Sequence, residues 1–163
     1  MKKLVILLMM FMGVINISAQ EINESQKVDS LQFQLTKLQH DYDYLYCSSE
    51  LYRLINELNI YSNNLNSSAN RLLINFYHGG YHRELYKAYK DSWDASAENL
   101  ISRETTIKLT KVTLSLKIEN SDFTEMELNV LEAAFDSVDA ALFAAKNALN
   151  YHKVILDMYK DLD

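Results

Sequence analysis

Apolar residues recur at alternating spacings of three and four along most of this chain. The C-terminal third shows the pattern without interruption, in Leu128, Leu131, Phe135, Val138, Leu142, Ala145, Leu149, His152, Leu156 and Tyr159. Such a heptad seam belongs to a helix that buries one stripe against other helices. Its start is marked as well. Thr124 and Glu127 have the spacing of a capping box, and Phe123 and Leu128 stand where a hydrophobic staple belongs. Ala133, Ala134, Ala140, Ala141, Ala144, Ala145 and Ala148 add helix propensity and keep the helix thin enough for a close neighbour. The pattern predicts a helix over 124–161.

A second seam runs through Val28, Leu31, Leu35, Leu38, Tyr42 and Leu45. The register slips near Cys47-Ser48-Ser49 and resumes at Leu51, Ile55, Leu58, Ser62, Leu65, Ala69, Leu72 and Phe76. A slip of this kind changes the local winding or marks a bend. Cys47 falls on the outer side of the helix in either register. The stretch from Ser62 to Ser68 is rich in Asn and Ser, which compete with the helix for backbone hydrogen bonds. The expectation is a helix over about 25–77, with a possible break at 62–68. His78-Gly79-Gly80 ends it, because glycine accepts the left-handed conformation that stops helices.

The middle segment carries mixed signals. Tyr81, Leu85, Tyr89, Trp93, Ala97 and Leu100 make a helical stripe. From Ile107 to Ile118 apolar and polar residues alternate among threonines, which is a strand signal. Wound as a helix, the same residues form two adjacent stripes, Leu100-Ile107-Leu114-Ile118 and Ile101-Leu109-Val112-Leu116, and so one wide apolar face. A lone strand would find no pairing partner in this chain, and two stripes suit a helix with a neighbour on each side. A helix over 81–118 is therefore expected. It and the last helix are each 38 residues, about 57 Å at the helical rise. The fold class that follows is all-α, an elongated, coiled-coil-like antiparallel three-helix bundle.

The first residues belong to another pattern. Lys2 and Lys3 precede an apolar run from Leu4 to Val14, and Ile17-Ser18-Ala19 follows. This is the layout of a signal peptide, residues 1–19, cut after Ala19. The run is short for a membrane span. The mature domain is then 20–163, exported to a bacterial periplasm or beyond the cell.

Composition narrows the function. There is no proline, and past residue 19 the only glycines are Gly79 and Gly80. That excludes a glycine-rich phosphate loop and the many tight turns of a β-barrel. The chain carries 16 basic and 22 acidic residues, and without Lys2 and Lys3 the balance is 14 against 22, net −8. An acidic chain with scattered charge is a poor match for nucleic acid or anionic lipid. Cys47 is the only cysteine, so no intrachain disulfide forms. A lone thiol of an exported protein stays free, stays buried or joins two chains.

Chemistry-bearing residues are dispersed. His78 and His82 are four apart, but a glycine pair lies between them, which favours a turn over a metal face. None of the four histidines follows a glutamate by three, so the di-iron bundle motif is absent. His152 occupies a seam position. Asp91, Asp94 and Glu98 share a face, as a solvated acidic ridge does. No catalytic, cofactor or metal residues are assigned. The unusual feature is aromatic: nine of the eleven tyrosines fall between residues 42 and 89. Tyrosine and tryptophan suit interfaces because they bury area and keep a polar tip. Tyr77, Tyr81, Tyr86, Tyr89 and Trp93 are the candidate contact surface, against the plainer reading that they fill a wider core layer. The expected function is that of a non-catalytic bundle working through protein contacts, with itself or with an envelope partner. The alternative is a sensor bundle holding a small ligand or metal among the aromatics, His78, His82 and Asp91.

Overall fold

A computed structural model describes residues 2–78 and 83–160, with side chains from Glu24 onward. Three helices follow one another: α1 (Lys2–Tyr77), α2 (Arg83–Glu119) and α3 (Glu125–Lys160). No strand occurs among the described residues. The side chains around the expected cleavage point at Ala19, and the glycine pair 79–80 with Tyr81 and His82, lie outside them. The chain divides into two compact units, Met1–Tyr42 and Asp43–Asp163.

In the second unit the three helices pack together up, down and up. Ion pairs fix the directions. Asp43 of α1 meets Lys117 of α2 at 2.6 Å, and Glu57 meets Arg103 at 3.5 Å, so these helices are antiparallel. Lys111 and Glu104 of α2 reach Asp139 and Lys146 of α3 at 2.7 and 2.8 Å, again antiparallel.

The alanine-rich seam of α3 is the centre of the core. Leu131, Val138, Ala145, His152 and Tyr159, each one heptad apart, are all buried. A flanking row of Ala134, Ala141, Ala148 and Ile155 is buried beside them. One flank meets α1, where Ser62 Oγ donates to the Ala144 carbonyl at 3.4 Å and Tyr151 Oη to Asn70 Oδ1 at 3.3 Å. The other meets α2, where Trp93 Nε1 donates to the Leu149 carbonyl at 3.0 Å. A helix between two neighbours buries a stripe wider than a plain two-position seam, and small side chains keep both neighbours close.

Two details of α1 differ from expectation. The helix runs through 62–68 without a break. Leu65, Ala69 and Leu72 are buried there. Each buried leucine contributes about 1.5–3 kcal/mol, whereas each Asn or Ser costs at most about 0.7 kcal/mol in propensity. Packing wins. Cys47 also does not face outward. It is fully buried and begins a row Cys47-Leu51-Leu54-Leu58 that is buried throughout. Leu45, two residues earlier, is 64% exposed. Tyr44, three residues before the cysteine, already packs on the same core, so the core-facing row Tyr44-Cys47-Leu51-Leu54-Leu58 overlaps the end of the exposed seam that closes at Leu45.

The turn between α2 and α3 forms as a capping box. The Thr124 N–H donates to Glu127 Oε2 at 2.9 Å, and the Glu127 N–H donates back to Thr124 Oγ1 at 3.3 Å. Phe123 is buried and packs edge-on against Tyr44, with ring centroids 6.0 Å apart. The two stripes of α2 are not adjacent as expected but lie on opposite faces, because positions such as Leu100 and Val112 fall far apart around the helix, and only one stripe enters the core. Leu100, Ile107 and Leu114 are buried, while Ile101, Leu109, Val112 and Leu116 are 54–68% exposed on the opposite face.

Candidate contact surface

The core of the bundle is split. One cluster runs from Cys47 and Phe123 up to Ala145. A second, around Ala69, Leu72, Ile155, Leu156 and Tyr159, lies toward the ends where α1 finishes and α2 begins. Tyr159, Phe76, Tyr86, Tyr89 and Trp93 gather on this second cluster. Tyr86, Tyr89 and Trp93 are half-buried and pack against it with Leu73 and Phe76. Phe76 meets Tyr159 edge-on at 4.4 Å. Asn75 Nδ2 donates to Tyr89 Oη at 3.4 Å, and Lys153 lies over the Trp93 ring at 5.8 Å.

Of the five residues expected to share a contact surface, the structure thus brings together Tyr86, Tyr89 and Trp93. They widen a core layer as much as they line the exterior. Tyr77 is different, at 79% exposed on the last turn of α1. Tyr81 lies outside the described residues.

Of the residues expected to hold a ligand in the alternative reading, His82 lies outside the described residues. His78 and Asp91 are both exposed. Among the described residues, no group of three or more His, Cys, Asp or Glu side chains converges as a metal site would. A shallow cleft of about 150 Å³ lies between α1 and α2, lined by Arg53, Glu57 and Arg103 over Leu54 and Ile107. Its charges are already matched. Arg53 holds Glu57 at 2.6 Å and Glu50 at 2.8 Å.

Two buried groups carry chemistry that the helices isolate. The Cys47 thiol is pushed up from its ordinary pKa by burial, and Asp43 adds to this while Lys117 opposes it. A thiol so placed is a poor nucleophile. His152 is 1% exposed, and neither ring nitrogen has a hydrogen-bond partner. Burial pushes its pKa down, which keeps the ring neutral. The Tyr89 ring stands edge-on to it at 6.3 Å.

The apolar surface that sequence reasoning placed in the core is the outer stripe of α2. Its signal was visible as the second row of spacings, Ile101, Leu109, Val112 and Leu116. The sequence does not say that only one of two equal stripes finds a neighbour within the chain.

No family model, curated protein or solved structure matches the chain.

Proposed function

We propose that this is an exported, non-catalytic helical-bundle protein that works through protein–protein contacts, as an adaptor, a scaffold or a self-assembling envelope component. The observation that carries the reading is the outer stripe of α2. Ile101, Leu109, Val112 and Leu116 leave four large apolar side chains in one row on the face opposite the core. Scattered apolar residues on a surface are ordinary, whereas apolar residues aligned along one helix face suit a surface that another protein covers. The basic start, the apolar run to Val14 and Ile17-Ser18-Ala19 support export. Among the described residues, no helix is long and apolar enough to cross a membrane.

The test is cross-linking of the tagged protein in its native envelope, repeated with Leu109→Glu and Val112→Lys together. The expected result is a stoichiometric cross-linked species, with itself or with one partner, that the double variant loses while its melting temperature holds. An unchanged pattern with the double variant would remove the α2 stripe as a contact surface. A mature mass lacking the first nineteen residues would establish the cut after Ala19, and a retained start would overturn it.

A further inference from the structure

The first unit poses a problem of its own. From Glu24 to Gln39 every residue of α1 is exposed, so none of these described residues is buried in a core. Helices in proteins draw most of their stability from packing an apolar face. Yet Val28, Leu31, Leu35, Leu38 and Tyr42 continue the three-four alternation at 57–67% exposure. A strict 3.5-residue repeat is what a second helix reads.

We propose that this seam pairs with the same seam of a second copy as an antiparallel coiled coil. The proposal rests on the reading that the protein works through protein contacts, and names one partner for one surface. The sequence of the segment is self-complementary in that orientation. With Val28 opposite Leu38 of the partner copy and Leu31 opposite Leu35, four apolar layers close about a two-fold axis. At the rims of those layers Lys27 comes beside Asp41 of the partner copy, twice by symmetry. Gln32 meets its own mate. At each end Tyr42 faces Glu24 of the other chain, so a hydroxyl and a carboxylate finish the apolar stack. In parallel pairing Lys27 would instead face Gln32, and Asp41 would face Tyr46, with neither charge matched. Charge complementarity therefore selects the antiparallel register, and a two-fold axis closes the assembly at two chains.

The test measures mass in solution by sedimentation equilibrium on the purified protein. The expected result is a dimer that becomes a monomer in Leu31→Glu with Leu35→Glu, with unchanged unfolding of the Asp43–Asp163 unit. Gln32→Cys should form a cross-link to its own mate under oxidation, identified by peptide mass. Lys27→Glu should raise the dimer dissociation constant several-fold, and adding Asp41→Lys should restore it. A monomeric wild type would overturn the proposal. So would a dimer that survives the double glutamate variant, although self-association through another surface would leave the broader reading standing. A dimer that needs the seam but gives no cross-link in the Gln32→Cys variant and no charge-swap rescue would overturn the antiparallel register.

Discussion

The hydroxyl of Tyr159 donates to the backbone carbonyl of Leu72 at 2.6 Å, tying the end of α3 to the end of α1. The bond is buried, and the Tyr159 ring is held by Phe76. Tyr159→Phe keeps the ring and removes only the donor. The expected cost is about 1 kcal/mol, near 3 °C in melting temperature for a unit of this size. Loss of more than about 3 kcal/mol in chemical denaturation would show that the ring had moved as well.

His152 makes stability fall with acid. The unfolded imidazole takes its proton near its ordinary value of 6.5, whereas burial lowers the folded value. Between the two, the unfolded chain binds more protons, so acid favours unfolding. The contribution of neutral His152 is complete above about pH 7 and is lost as pH falls through 6.5 toward the folded value. His152→Leu removes the titration and two buried nitrogens that have no partner. It is expected to match or exceed the wild type in stability, by up to about 2 kcal/mol. Melts at about pH 5 and about pH 7.5 check this, and the gap between them should narrow in the variant.

Thr124 starts α3 through two reciprocal bonds with Glu127. Thr124→Ala removes the side-chain acceptor for the Glu127 N–H and is expected to cost about 1 kcal/mol. Thr124→Ser should restore nearly all of it. Equal losses in both variants would place the effect elsewhere than in the cap.

The α3 seam and its cap were legible because each depends on residues a few positions apart. The exposure of the second stripe of α2 and the burial of Cys47 were not, for a shared reason. Periodicity says which residues lie on one face of a helix. It does not say where along α1 the neighbours begin, nor which of two equal faces on α2 they cover. Local propensity misled at Ser62–Ser68, where Leu65, Ala69 and Leu72 hold the helix through packing with residues some eighty positions away. The tyrosine-rich end was legible as a cluster, but its division between core and surface was not. Tyr77 and Tyr89 look alike in sequence, and only the packing of α2 on the second cluster separates them.

Cys47 should behave as a core residue. Full burial and a raised pKa leave little thiolate at about pH 8. A thiol-reactive dye is expected to label the native protein only through unfolding, and to label one equivalent at once in denaturant. No disulfide dimer should accumulate under air. Rapid native labelling would mean that the Cys47-Leu51-Leu54 row opens locally.

The candidate contact residues can be separated by stability before any partner is known. Trp93 is half-buried against the second cluster and donates to the Leu149 carbonyl. Trp93→Ala removes that bond and a large apolar contact together, so a loss of about 3 kcal/mol is expected. Any binding defect in that variant would then report on the fold. Tyr77 is 79% exposed, and Tyr77→Ser should stay within about 0.5 kcal/mol of the wild type. A loss of binding in Tyr77→Ser at unchanged melting temperature would therefore assign contact to that end of the bundle. Retained binding would leave its aromatics the work of packing α2 against α1 and α3.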